Sequence, residues 1–366
     1  MMKTFKYRIY PNKLQRRKLG VILSNCCFVY NHILETRKNV WEQEKRSVSK
    51  FETINMLPAL KVENPSLKVV HSQSLQDVCA RVDNAFKHYF RRCKLKENPG
   101  YPRFRSLTRY KSLTFPQGGY KLSGKKIHIS KIGEMKIVYH REIVGKIKTL
   151  ILTRDILGKW WISFSCEVEA SPLPLNEKAI GIDLGLTHFA TLSNGEKIEN
   201  PRFFRKDESL LARAQRKLSK QEKGSLKRKK CVKRVQHIYE HISNRRNDFA
   251  HKLSHYLVQQ YQILVFEDLN VEGMMHNRKL SKSIADASWS KLIDLTSYKA
   301  ESAGRNMILV NPRYTSQQCS QCNTLVKKAL SERTHRCPQC GLIMDRDENA
   351  ALNILALGID SLGANP

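Results

Sequence analysis

Residues 319–347 read CSQCNTLVKKALSERTHRCPQCGLIMDRD and place two kinds of metal-binding side chain next to each other. Two Cys-x-x-Cys pairs, at 319–322 and 337–340, can close a tetrahedron of four thiolates around zinc, because each pair turns back on itself. The acidic run at 345–347 instead offers carboxylates, which prefer hard cations such as magnesium. The stretch therefore predicts a structural zinc site beside a separate catalytic metal site.

The four cysteines are the stronger of these two signals. The predicted zinc ligands are Cys319, Cys322, Cys337 and Cys340. The gap between the pairs is just under the roughly 15 to 20 residues typical of zinc ribbons, and His335 lies within it as an alternative ligand. A segment this short has little apolar core of its own, so bound zinc would supply much of its folding free energy. The other cysteines are scattered along the chain, and we expect reduced thiols rather than a disulfide scaffold.

The charge of the chain indicates a polyanionic partner. Lys and Arg number 65 against 33 Asp and Glu, which gives a formal net charge of +32. Nucleic acid is the usual partner for such an excess, although a basic surface that is merely soluble or lies on a membrane is the alternative. The run KGSLKRKKCVKR at 223–234 favours phosphate-contacting helices over a solvated helix face. Because no run of 18 apolar residues and no secretory signal is present, we expect a cytoplasmic, nucleoid-associated protein with no membrane partner.

Length and hydrophobic periodicity together predict a multidomain α+β protein. A chain of 366 residues exceeds what one core usually holds, so more than one domain is expected. Residues 4–10 alternate apolar and basic side chains and predict a strand that stops at Pro11. Residues 12–95 keep an apolar period of about 3.6 residues, so we expect helices broken near Pro58 and Pro65. Short alternating runs follow to about residue 170 and predict a small β-barrel or curled sheet, which the helical block would interrupt.

The second half of the chain predicts alternating strands and helices. A proline-rich linker at 172–174 precedes a buried strand that ends at residue 183. Residues 203–260 form a long charged region that is helical by period and breakable at Gly224. The apolar run at 261–269 then predicts a central parallel strand.

Three acids lie where predicted strands or helices meet loops. Asp183 and Glu267 each end an apolar strand, and Asp347 opens the last helix. If the two strands are neighbours, their acids emerge at one edge of the sheet. Carboxylates a few ångströms apart need a cation between them, so the cluster predicts two magnesium ions about 3.5–4 Å apart that hydrolyse a phosphodiester.

Each acid taken singly has a plainer explanation. An Asp after a strand often caps a turn, Glu267 could pair with a lysine, and either Asp345 or Asp347 could be the N-cap of the last helix. The net positive charge and the order of the three acids along the chain favour the metal site.

Five segments of the chain form a recognisable set: GIDLGLTHFAT at 181–191, FEDLN at 266–270, PRYTSQQCSQC at 312–322, CPQCG at 337–341 and DRDENAALNI at 345–354. Together they resemble the TnpB family of insertion-sequence proteins, relatives of type V CRISPR effectors. Their order and spacing run almost the length of the chain, which makes the resemblance specific. The chain departs from the family pattern at Asn323, where the family usually has a glycine.

The resemblance implies a particular division of the chain. A wedge-like β domain would comprise 1–11 and 96–172, with a helical recognition domain at 12–95. A RuvC-like nuclease domain of RNase H type would comprise 173–316 and 342–366, with a zinc ribbon at 317–341. Asp183, Glu267 and Asp347 would be the catalytic, magnesium-binding acids, with Asp345 as the alternative to Asp347, and the four cysteines would hold zinc.

The resemblance also implies an RNA-guided DNA endonuclease that depends on magnesium. Its partners would be a guide RNA made from the transposon end and a double-stranded DNA target. One alternative is a transposase acting directly in strand transfer, although no tyrosine lies in a recognisable His-rich nucleophile motif. Another is an RNA-guided DNA-binding repressor without nuclease activity, which is disfavoured because all three acids are present.

Overall fold

The computed structural model describes residues 1–329 and 331–363. Residue 330 of the predicted ribbon and the end of the predicted segment 342–366, from 364 onward, therefore lie outside the described residues. The chain forms two compact units, Met1–Glu169 and Ala170–Pro366. Each unit has a hydrophobic core of its own.

The first unit is built on one antiparallel sheet of seven strands. The strands are β1 Met2–Tyr10, β2 Ser112–Phe115, β3 Tyr120–Ser123, β4 Lys126–Ile129, β5 Gly133–Ile137, β6 Lys146–Arg154 and β7 Trp160–Glu167. Their order is β2-β6-β7-β1-β5-β4-β3. The sequence predicted a small β-barrel or a curled sheet. The structure has an antiparallel sheet with β2 and β3 at its edges. Because β1 pairs with both β5 and β7, the helices that follow β1 are inserted between strands of one sheet.

The inserted block is helical, as its apolar period predicted. Its helices are α1 Lys13–Glu44, α2 Lys50–Asn55, α3 Leu57–Glu63 and α4 Ser72–Lys94, with a 3-10 turn at Pro65–Val69. Pro58 lies in the first turn of α3 and Pro65 opens the 3-10 turn, so both predicted breaks are confirmed. A further break lies at 45–49. It begins where Lys45 adopts a left-handed conformation with φ 53°.

Sheet and helices of this unit share one core. Phe5, Tyr7 and Ile9 alternate along β1 and are all buried, as a strand with one covered face requires. The apolar stripes of α1 and α4 pack into the same cluster. The start of α1 is fixed by a capping box, in which Asn12 and Gln15 each accept the other's backbone N–H.

The second unit contains a mixed sheet of five strands. They are β8 Ala179–Leu184, β9 His188–Leu192, β10 Lys197–Glu199, β11 Ile263–Glu267 and β12 Asn306–Val310. The order is β10-β9-β8-β11-β12. The first three strands are antiparallel, whereas β11 runs parallel to both β8 and β12. The predicted central parallel strand is thus confirmed in β11.

Helices and a small hairpin complete the second unit. They are α5 Phe203–Ser219, α6 Leu226–Gln260, α7 Val271–Met274, α8 Ser281–Ala287, α9 Trp289–Ala303 and α10 Arg346–Gly363, with a hairpin of β13 Thr334–Arg336 and β14 Ile343–Asp345. The helical region 203–260 breaks around Gly224, as predicted. Among the residues described, no helix is both long and apolar enough to cross a membrane.

Gly181 sets how closely α10 lies on the sheet. A Cβ built on this residue of β8 would be 2.0 Å from the carbonyl oxygen of Ala351 in α10. No side chain fits at that distance, so the backbone of the helix touches the backbone of the strand. This contact holds α10, whose first turn carries Asp347, against the strand that carries Asp183.

We predict that Gly181→Ala lowers the free energy of unfolding by about 1–3 kcal/mol, because the added methyl group must push α10 off β8. Gly363→Ala, at the other end of α10, is the control, since its Cβ would meet nothing within 4 Å. Urea titration of both variants would measure the difference. Equal stability of the two variants would contradict the close packing.

Candidate active site

Asp183 and Glu267 emerge at the same edge of the mixed sheet. The parallel pairing of β8 with β11 places Ile182 opposite Phe266, and each acid is the next residue of its strand. Glu267 is buried, with 6% of its surface exposed, and Asp183 is partly buried. The sequence prediction that these strands are neighbours is therefore confirmed.

The charges of Glu267 and Asp347 reach Asp183, although among the described residues these three acids do not form a group whose ligand atoms already lie within reach of one metal ion. Burial raises the pKa of Asp183 well above its usual value, and the negative charges of Glu267 and Asp347 raise it further. The nearby guanidinium of Arg346 partly offsets this rise. A cation placed among the three carboxylates would remove the repulsion that raises this pKa.

Glu267 is held by a hydroxyl group. Burial raises the pKa of Glu267, while a hydrogen bond from Thr315 acts in the opposite direction. Thr315 donates from Oγ1 to Oε1 of Glu267 at 2.5 Å, and only 4% of Thr315 is exposed. A buried carboxylate that accepts one hydrogen bond still has its second oxygen available for a cation.

The two aspartates of the 345–347 run have different surroundings. Asp345 caps α10, because its Oδ1 accepts the backbone N–H groups of Asp347 at 2.9 Å and Glu348 at 3.2 Å. Its other oxygen accepts a hydrogen bond from Lys197 at 2.7 Å. Burial alone would raise the pKa of Asp345, but these partners lower it.

Asp347 has no capping role in these contacts. Its carboxylate accepts hydrogen bonds from Arg346 at 3.1 and 3.2 Å and lies 3.6 Å from Arg333. These cations balance part of its charge, and a metal ion would compete with them. Asp345 is therefore the N-cap of α10, and Asp347 as the third acid stays a prediction.

The four cysteines of the two Cys-x-x-Cys pairs converge. Their sulfur atoms all lie within 4.8 Å of one another, a spacing suited to one metal ion held by four thiolates. His335 does not belong to this group. It is fully buried in β13, where its Nδ1 contacts Lys328, so the alternative of a histidine ligand is not supported.

Two asparagines that sequence reasoning missed join α10 to the first cysteine pair. Asn353 donates from Nδ2 to the carbonyl oxygens of Thr315 at 2.8 Å and Gln318 at 2.7 Å. Asn349 donates to Gln318 at 2.7 Å and accepts the backbone N–H of Ser320 at 3.0 Å. Both asparagines are buried and lie four positions apart on one face of α10. Their spacing on the predicted last helix was the signal in the sequence, because polar groups that become buried need hydrogen-bond partners.

The basic stretch predicted to contact phosphate lies on α5, α6 and the turn between them. The two helices pack through Leu211, Ile238 and Ile242, which leaves the basic side chains on the outside. Those exposed are Arg213, Arg216, Lys217, Lys220, Lys223, Lys227, Lys229, Lys230, Lys233 and Arg234. A surface with this density of positive charge suits a nucleic-acid backbone.

Three sequence-family models match the chain. One described as "Probable transposase" matches residues 163–278, and one described as "Cas12f1-like, TNB domain" matches residues 289–354. A third, described as "Helix-turn-helix domain", matches residues 1–46. Over that range the structure has β1 and the single 32-residue helix α1 rather than two helices.

The chain also resembles curated proteins over nearly its whole length. It is 36% identical to the "Putative RNA-guided DNA endonuclease" of Streptomyces pristinaespiralis, over 98% of this chain and 89% of that protein. It is 30% identical to the "Putative RNA-guided DNA endonuclease InsQ" of Escherichia coli K12, over 98% of this chain and 92% of that protein.

A solved structure shares the fold. The cryo-EM structure of a Cas12f1–sgRNA–target DNA complex contains a chain that matches with a TM-score of 0.61 and 13% identity, over 97% of this chain and 98% of that chain. At this identity the match establishes the fold alone. The chain therefore has a Cas12f-like multidomain α+β fold with a curled antiparallel sheet.

Replacing Cys337 with serine removes one of the four sulfurs, so we predict that the purified variant loses the metal ion held by the cluster. Elemental analysis per mole of protein would measure the loss. Cys93→Ser is the control, because Cys93 is exposed and outside the cluster. Wild-type protein purified without any metal would contradict this assignment.

Proposed function

This chain belongs to the TnpB family of RNA-guided DNA endonucleases, and we propose that Asp183, Glu267 and Asp347 form the catalytic site with which it hydrolyses DNA. The observation that carries the proposal is the parallel pairing of β8 with β11, which places Asp183 and Glu267 at one edge of the sheet. Burial raises the pKa of Asp183, and the charges of Glu267 and Asp347 raise it further, which supports the same grouping. Such a cluster is what a divalent-cation site requires. Strand order β10-β9-β8-β11-β12 supports a RuvC-like domain of RNase H type around it.

The residues of the site fit magnesium. Three carboxylates from two strands and a helix supply hard oxygen ligands, and their mutual repulsion disfavours the site without a cation. Two magnesium ions bound there would polarise the phosphodiester and lower the pKa of the attacking water. The protein's own part is to hold the carboxylates: Thr315 donates a hydrogen bond to Glu267, and the contact at Gly181 holds α10 beside β8.

The proposed partners are a guide RNA from the transposon end and a double-stranded DNA target. In such proteins base pairing reads the sequence, while the protein holds the backbone of the heteroduplex in positively charged surroundings. The net charge of +32 and the exposed basic residues of α5 and α6 suit that task. The names of the curated relatives favour guided cleavage over direct strand transfer.

We further propose the domain division implied by the sequence. Residues 1–11 and 96–172 would form the wedge-like domain and 12–95 the recognition domain. Residues 173–316 and 342–366 would form the nuclease domain, with 317–341 as a ribbon that holds one structural zinc ion. Four thiolates without an open ligand position favour zinc in a structural role. We propose that the protein acts in the cytoplasm, at the nucleoid, where the guide RNA and the target DNA meet.

The catalytic assignment is tested by Asp183→Asn. We predict that magnesium-dependent cleavage of a matched plasmid falls by about 10²–10³-fold or more, because a charged ligand is lost. Binding of guide RNA should persist, since the change removes a buried charge and keeps the shape of the side chain.

Asp345→Asn is the matched control for Asp183→Asn. Asparagine caps helices as well as aspartate does, so α10 should keep its start and cleavage should persist. Normal cleavage by Asp183→Asn would refute the assignment. Loss of cleavage in Asp345→Asn, with retained thermal stability, would mean that Asp345 belongs to the site.

The basic surface is tested by replacing Lys229, Lys230 and Lys233 with glutamine. We predict that the slope of log affinity against log salt falls by about 1 for each lysine that contacts a phosphate. Filter binding of guide RNA and of target DNA would measure it. Lys252→Gln on the same helix is the control, since Lys252 already pairs with Asp248 at 2.7 Å. Unchanged slopes for both nucleic acids would exclude this surface.

A further inference from the structure

The geometry around Glu267 points to Thr315 as a positioning residue for catalysis. We infer that the Thr315 hydroxyl fixes the orientation of Glu267, and that α10 and the cysteine cluster hold Thr315 in place. The inference rests on the proposed function, because it concerns the same site. Thr315 would act through Glu267 and would touch neither the substrate nor the metal.

The contact between the two side chains is buried and specific. Glu267 and Thr315 are 6% and 4% exposed, so water gives little competition for their hydrogen bond. The hydroxyl has one proton, and its two acceptors are Oε1 of Glu267 at 2.5 Å and the carbonyl of Pro312 at 3.2 Å. The shorter bond to the carboxylate is charge-assisted and dominates. It engages Oε1, so Oε2 would be the oxygen that binds a cation.

The backbone of Thr315 is fixed from α10. Asn353 donates to the carbonyl oxygen of Thr315 at 2.8 Å, in a contact that is itself buried. The same amide nitrogen lies 2.7 Å from the carbonyl of Gln318. Asparagine can make these two bonds because its amide carries two hydrogens. The helix that presents Asp347 therefore also sets the segment that orients Glu267.

The same helix also forms hydrogen bonds with the residues on either side of Cys319, in the first cysteine pair. Asn349, one turn before Asn353, bonds to Gln318 and Ser320, which flank Cys319. The sulfur of Cys319 lies 3.6 Å from that of Cys340. A continuous set of contacts, buried at Thr315 and partly buried nearer the cysteines, thus runs from the thiolate cluster through the 315–320 segment to Glu267. Closing the cluster around a metal would hold this segment, so the metal-binding segment would support the active site as well as its own fold.

Loss of the hydroxyl has a defined consequence. Oε1 of Glu267 would be left buried without its donor, and the carboxylate would rotate or take up a proton. Residues that orient a metal ligand typically contribute 10–100-fold to metal affinity or activity. The expected defect is therefore smaller than that of removing Glu267, and raising the magnesium concentration should partly restore the rate.

Thr315→Val and Thr315→Ser test the role in the complete ribonucleoprotein. Valine keeps the shape and removes the hydroxyl, whereas serine keeps the hydroxyl. We expect Thr315→Val to cleave about 10–100-fold more slowly in single turnover and to need more magnesium for half its maximal rate. For Thr315→Ser, both the cleavage rate and the magnesium concentration at half-maximal rate should stay within about threefold of the wild-type values, because the hydroxyl is kept. Thr296→Val is the control. Thr296 is also a buried threonine, and its hydroxyl donates to the carbonyl oxygen of Leu292 in α9, so this variant should change neither quantity.

Asn353→Ala provides the second arm and tests the support from α10. It keeps the hydroxyl but frees its segment, so we expect a rate between those of wild type and Thr315→Val. This arm also keeps the inference testable if Thr315→Val fails to fold, which thermal melting would reveal. Wild-type rate and magnesium dependence in Asn353→Ala would overturn the support from α10.

Glu267→Gln separates failure of this inference from failure of the proposed function. If Glu267→Gln is inactive and Thr315→Val cleaves like wild type, Thr315 has no positioning role and the proposed function stands. If Thr315→Ser is as impaired as Thr315→Val, the residue matters through packing and the inference is wrong. If Glu267→Gln cleaves normally, the proposed function itself fails.

Discussion

Repulsion of the Asp183 carboxylate by those of Glu267 and Asp347 is the interaction on which the proposed site depends. The parallel pairing of β8 with β11 and the docking of α10 at Gly181 hold Asp183 near these two acids in spite of it. The raised pKa of Asp183 favours its protonated form when no cation is bound. The proposed divalent cation would supply the opposite charge that favours the carboxylate.

The sign of this cluster is opposite to that of the molecule as a whole. A net charge of +32 attracts nucleic acid from any direction, whereas the acids would repel a phosphate that approached them alone. Divalent cations reconcile the two, since they bind the acids and a phosphodiester together. Exposed lysines and arginines would thus retain the nucleic acid, and the carboxylates would define where it is cut.

Much of this could be predicted from sequence because it depends on local patterns. The Cys-x-x-Cys pairs, the apolar strands ending in acids and the helical periods each lie within a few residues, and the structure has the corresponding cysteine cluster, strands and helices. The contacts made by Thr315 and Asn353 could not be predicted, because they join residues 48 and 38 positions apart. Which of Asp345 and Asp347 caps α10 was equally open, since either lies where a cap is common and only the hydrogen bonds to Asp345 distinguish them.

The most direct test is a crystal of this protein grown with Mn²⁺ in place of magnesium and measured for anomalous scattering. The account predicts anomalous density between the carboxylates of Asp183, Glu267 and Asp347, with each residue within bonding distance of a metal ion. Mn²⁺ bound only elsewhere, or these three carboxylates without any ion at saturating Mn²⁺, would contradict it.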